Sequence, residues 1–109
     1  MKINEYQKEA MKSLNPSLNN DEVLLNGVMG LCGESGEVID ILKKHLSQGH
    51  ELNIEKMIEE LGDVAWYLAE TAYALGVDLD TVLNNNLIKL SKRYPEGFNV
   101  EKSINRSDE

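Results

Sequence analysis

The stretch that decides the fold is NIEKMIEELGDVAWYLAETAYALG, residues 53–76. Asn53 is a helix-capping residue type and Gly76 follows the last periodic residue, Leu75, so the two mark a start and a stop. With Glu60 as zero and about 100° per residue, Val64, Met57, Leu68, Leu61 and Ala72 fall between about 40° and 120°, while Asp63 falls near 300°. That is one apolar stripe of helical period, with both acids beyond the same margin.

The preceding stretch repeats the pattern. Asp21 can cap a helix from Glu22 to Leu46 in which Leu24, Val28, Leu31, Val38, Leu42 and Leu46 keep one stripe. With Glu34 as zero, the stripe again lies between about 40° and 120° and Glu37 lies near 300°. Gly27, Gly30, Gly33 and Gly36 each cost about 1 kcal/mol against alanine in a helix interior, which predicts close packing, a kink or a break near residues 30–33.

Further out, Asn4 with Gln7 three residues on predicts a capped short helix over Asn4–Leu14, ended by Asn15-Pro16-Ser17. Asp78 predicts the start of a last helix running to about Tyr94, stopped by Pro95 and Gly97. The expectation is an all-α chain of about four helices. It forms a single domain over residues 1–98 with a polar tail over 99–109, frayed from Glu101 to Glu109. No repeat, alternating strand pattern or linker interrupts it.

Composition bounds the function. Nineteen acidic residues against eleven basic leave a formal charge of -8, which repels a nucleic-acid backbone but not a small polyphosphate bridged by divalent cations. The single cysteine, Cys32, fits a reducing compartment and reads as a small buried apolar residue. No stretch approaches the roughly 18 apolar residues of a membrane span, and no leader pattern opens the chain, so the expected location is cytoplasmic. A chain of 109 residues has a modest core, and self-association is the expected way to enlarge it.

Residues three apart on a helix lie on one surface, so Glu34/Glu37 and Glu60/Asp63 each present two carboxylates together. Either pair alone reads as a solvated face. If the two stripes pack together, however, both pairs line one interface, where four acids repel unless cations sit among them. Oxygen-only ligands suit Mg²⁺, or Mn²⁺, rather than zinc or copper. On the last helix, Lys89 and Arg93 lie near 300° and 340° from Asn86, beside Leu83, Leu87, Leu90 and Tyr94. This cationic strip is either a solvated surface or a clamp for phosphate oxygens.

Gly33-Glu34-Ser35-Gly36-Glu37-Val38, Glu59-Glu60-Leu61-Gly62-Asp63-Val64, Asn86, Lys89-Leu90, Arg93-Tyr94-Pro95 and Gly97-Phe98 follow one another in order. In this the chain resembles the MazG-like all-α nucleoside triphosphate pyrophosphohydrolases, over roughly residues 22–98. The resemblance implies a helical protomer that assembles as a homodimer or homotetramer, with helices of two chains building each site. It implies Mg²⁺-dependent conversion of a nucleoside triphosphate to a monophosphate and pyrophosphate. Glu34, Glu37, Glu60 and Asp63 match the family's metal ligands, and Asn86, Lys89, Arg93 and Tyr94 match positions that meet the nucleotide or its phosphates. Some members carry a further glutamate where this chain has Gly33. Glu34, at the margin of the core, is the residue expected to orient the attacking water.

Two readings of Trp66 stand: it packs in a subunit interface, or it contacts the substrate base. Two readings also compete with the enzyme. One is a non-catalytic acidic helical module that binds a partner or a regulatory cation. The other keeps the fold but makes the chain a dUTPase-like or phosphoribosyl-ATP-type pyrophosphatase.

Overall fold

The chain is all-α. The computed structural model describes residues 1–106 and contains α1 (Ile3–Ala10), a 3₁₀ turn (Met11–Ser13), α2 (Asn20–Gln48), α3 (Ile54–Ala74), α4 (Leu79–Arg93) and α5 (Val100–Ile104), with no strand among the described residues. It divides into two compact units after Leu79. The first unit holds α1 to α3. The second holds the rest of α4 and α5.

Local chemistry sets the helix ends. At α2 the cap is Asn19 rather than Asp21: its side chain accepts from the Glu22 backbone N–H at 2.9 Å while the Glu22 carboxylate accepts from the Asn19 N–H at 3.0 Å. This reciprocal pair satisfies two of the helix's orphan donors. At α3 the Asn53 side chain caps as expected, accepting from the Lys56 N–H at 3.0 Å. Gly49 and Gly76, both at φ 74°, take the left-handed turns that end α2 and α3. The first helix departs from expectation, since α1 starts at Ile3 and its opening N–H, on Lys2, is taken by Glu5 at 3.1 Å.

Gln7 is therefore not part of a cap. It is buried, and its amide donates to the carbonyls of Ala69 and Val77, both at 3.2 Å, while its oxygen accepts from the Leu79 N–H at 2.9 Å. Trp66 makes a second tie from α3 to α1. Its indole N–H is shared between the Ala10 carbonyl at 3.0 Å and the Ser13 hydroxyl at 3.1 Å.

α2 is unbroken across its glycines, and the reason lies in α3. A Cβ at Gly27 would stand 2.5 Å from the Thr71 hydroxyl, and one at Gly30 would enter the Tyr67 ring. The two helices run antiparallel along Gly27–Thr71, Gly30–Tyr67 and Glu34–Asp63. With Glu34 as zero, the buried or half-buried Val23, Gly27, Gly30, Val38 and Ile41 all lie within about 40° of it. With half-buried Leu31 and Leu24 near 60° and 80°, the contact face runs from about −40° to 80° and takes in Glu34 instead of leaving it at the margin. The same rotation leaves Val28, Leu42 and Leu46 exposed on α2, and Leu61 on α3. Glycine supplies closeness without hydrophobicity, so the helices meet along the glycine line and the larger side chains fall outside it.

The second unit begins in α4. Gly97 turns the chain at φ 91°, and the Asn99 side chain then caps α5 by accepting from the Lys102 N–H at 3.1 Å. Part of the tail expected to fray is thus a short helix, while residues 107–109 lie outside the described residues. Cys32, expected to be buried, is exposed.

Candidate metal centre

Three of the four predicted acids converge. One carboxylate oxygen from each of Glu34, Glu60 and Asp63 lies within 4.8 Å of the others. Glu34 is half-buried, Glu60 is 7% exposed and Asp63 is exposed, so the cluster opens to solvent at one side. α2 brings Glu34 because its contact face takes in that position. α3 brings Glu60 and Asp63 because a three-residue step returns to the same surface.

Crowding of like charges is visible in the electrostatics. Glu34 is pushed up to about 7, first by a hydrogen bond with the Glu60 side chain, then by burial and by the charges of Glu60, Asp63 and Glu37. Glu60 is held below its usual range, first as the acceptor of that same hydrogen bond and then by Lys56. The two neighbouring carboxyls are thus pushed in opposite directions, Glu34 towards keeping its proton and Glu60 towards losing it. Lys56 brings the nearest positive charge, with its Nζ 3.2 Å from Glu60 Oε1 and 3.5 Å from Glu59 Oε2.

Glu37 stands apart from the three. It lines a separate groove of about 270 Å³ with Asp40, Lys44, His50 and Lys56, and reaches the cluster through its charge. Beside the cluster, Glu34 and Asp63 share an open depression of about 390 Å³ with Trp66 and Tyr67. The two rings meet edge-on, with centroids 5.1 Å apart. The indole N–H is committed to α1, so the ring offers this depression only its carbon surface.

The donor set fits a hard divalent cation: three carboxylates, oxygen only, close enough that a cation among them would relieve their mutual repulsion. Asn86, Lys89 and Arg93 lie on α4, and Tyr94 follows it, in the second unit. Asn86 and Lys89 are exposed and Arg93 and Tyr94 half-buried, with the Tyr94 ring 5.4 Å from that of Phe98.

The model of the MazG nucleotide pyrophosphohydrolase domain matches residues 25–98, more than half the chain. The chain belongs to this MazG family. The match takes in the three converging acids, Glu37, and the α4 positions. Among curated proteins, the "Gene 37 protein" of Mycobacterium phage L5 is 42% identical to this MazG chain over 73 residues, which make up 63% of this chain and 64% of that protein. This chain therefore spans a little under two thirds of the relative's length. No solved structure matches it. Among the described residues no helix is long and apolar enough to cross a membrane.

Two residues near the cluster carry no motif signal. Tyr6 has its hydroxyl pushed up by burial and then by the charge of Asp63, which places α1 against the site. Lys56 is the other, and only its i, i+4 spacing from Glu60 could have drawn attention to it.

Proposed function

We propose that this MazG-family protein is a Mg²⁺-dependent nucleoside triphosphate pyrophosphohydrolase, converting a (deoxy)nucleoside triphosphate and water to the monophosphate and pyrophosphate. The carrying observation is the convergence of Glu34, Glu60 and Asp63 within 4.8 Å in a chain of this family. Glu34, Glu60 and Asp63 would hold a divalent ion, which would supply charge neutralisation for the polyphosphate and activation of water. Glu37, one helical turn from Glu34, would be the remaining acid to help hold such an ion.

The chain's own residues do the rest. Glu34 is the group that takes the water's proton and aims its oxygen at the α-phosphorus, forming a P–O bond as the bond to the bridging oxygen breaks and pyrophosphate leaves. Asn86, Lys89, Arg93 and Tyr94 are assigned to the nucleotide and its phosphates on their match to the family's positions. Trp66 and Tyr67 form the apolar wall of the depression beside the acids, a surface suited to a base.

Assembly is part of the proposal. Leu25, Met29, Ile39, Leu46, Ile58 and Leu61 all lie exposed on α2 and α3, an apolar area unusual for a lone chain, and a homodimer or homotetramer would cover it. Cytoplasmic removal of unwanted nucleotides is the role this activity suits.

The deciding experiment is product analysis with Mg²⁺ and a panel that includes canonical and modified triphosphates, dUTP and phosphoribosyl-ATP. Pyrophosphate with a monophosphate from at least one substrate is expected. Orthophosphate with a diphosphate would place attack on the γ-phosphorus and overturn the assignment. No turnover at all would return the chain to the non-catalytic, cation-binding reading.

A further inference from the structure

Lys56 occupies the third position of α3, a site where helix physics disfavours it. The N-terminal turn carries the positive end of the helix dipole, and acids, not amines, are stabilised there. The preferred order for a helical ion pair is also acid first, base four residues later, and Lys56–Glu60 runs the other way. Helix stability therefore does not account for this lysine.

Position does account for it. The Asn53 cap holds the Lys56 N–H, which fixes where its side chain leaves the helix. From there the ammonium reaches Glu60 at 3.2 Å and Glu59 at 3.5 Å. Glu60 is the most buried of the three converging acids, and Lys56 is half-exposed, able to let go of it at little steric cost. Its stem also lines the groove with Glu37, Asp40 and Glu51, which gives the ammonium other acids to face when it leaves.

We propose that Lys56 is a tethered competitor for the metal site: its ammonium holds the Glu60 carboxylate until a divalent cation displaces it, so that Lys56 weakens and thereby sets the protein's Mg²⁺ affinity. This rests on the metal centre proposed above. The consequence is counter-intuitive for a site residue, because removing Lys56 improves metal binding. The gain is bounded by the worth of a half-exposed ion pair and by the repulsion removed between two cations.

Calorimetric titration of the full chain with Mg²⁺ at pH 8 tests it, comparing wild type with Lys56→Gln, Lys56→Arg, Lys12→Gln and Asp63→Asn. Lys56→Gln is expected to bind Mg²⁺ about two- to fivefold more tightly. Lys56→Arg, which keeps the charge, should stay near wild type. Lys12→Gln controls for net charge, since that lysine pairs with Glu9 at 2.9 Å, away from the acids, and should change nothing. A second readout is chemical: acetylation of the Lys56 amine, followed by mass spectrometry, should accelerate when Mg²⁺ is added, with Lys12 unaffected. Wild-type binding lost in Asp63→Asn but unchanged or weakened in Lys56→Gln would overturn the competitor while leaving the metal centre standing. No binding by wild type would overturn both.

Discussion

Gly30 on α2 meets the ring of Tyr67 on α3 so closely that no methyl group fits between them. This contact lies one helical turn from Glu34, and with Gly27–Thr71 it sets how near the two acid-bearing helices come. Gly30→Ala should therefore destabilise the fold by about 1–3 kcal/mol through overpacking, despite alanine's better helix propensity. Gly33→Ala, where an added Cβ meets nothing within 4 Å, should be neutral or stabilise by up to about 1 kcal/mol. Denaturant unfolding of both variants gives the comparison, and equal costs would show that the glycines share one role.

The opposite shifts of Glu34 and Glu60 make stability depend on pH in a stated direction. Glu34 binds its proton more tightly when folded, with a pKa of about 7 against the usual 4.5. Its contribution is thus fully present below about pH 4.5 and is lost as pH rises towards 7. Glu60, held low, acts oppositely and contributes above its usual value, losing that contribution in acid. In EDTA, unfolding measured from pH 5 to 8 should show stability falling, and Glu34→Gln should flatten the slope. A flat wild-type profile would mean that folding does not raise the pKa of Glu34.

Mg²⁺ should reverse that loss, because a cation that binds only the folded chain stabilises it by mass action. The gain is about 2.7 kcal/mol at a concentration one hundred times the dissociation constant. Thermal melts in EDTA and in millimolar Mg²⁺ at pH 8 should separate for wild type and coincide for Asp63→Asn. If hydrolysis is found, the same variant should lose most of it, whereas Arg93→Lys should lose less, keeping charge but not the planar fork.

Glu70 is fully buried, and both its carboxylate oxygens accept from the Asn26 amide nitrogen at 2.9 Å. Asn26→Leu would strand that carboxylate and should cost about 3 kcal/mol or more. Adding Glu70→Gln to it should recover part of the loss by removing the charge. A mild effect of Asn26→Leu alone, by denaturant unfolding, would mean that water replaces the amide.

The helices and their ends were largely legible, because Asn53, Gly76 and the apolar period are local signals. So were the acids, as residues three apart on two helices. The rotation of the contact face was not. Hydropathy assigned that face to Val28, Leu42 and Leu61, but glycines decide how closely backbones approach and carry no hydropathy. Glu37 was indistinguishable from its neighbours by spacing, and only the packing of α3 separates it from the three that converge. Gln7 and Trp66 were read as a cap and as an interface or base contact. The hydrogen bonds that Gln7 and the Trp66 indole N–H make reach 53 to 72 residues away along the chain, beyond any local pattern.

Those distant bonds of Gln7 bear on how the first unit comes apart. α1 is short enough to fray by itself, yet its one buried amide holds carbonyls on both sides of the Gly76 turn and the N–H of Leu79. Detaching α1 would strand three backbone groups at once, so it should open only with α3. In deuterium uptake, the amide of Leu79 should therefore exchange as slowly as those in the middle of α3, binding the chain's first ten residues into the slowest-opening part of the molecule.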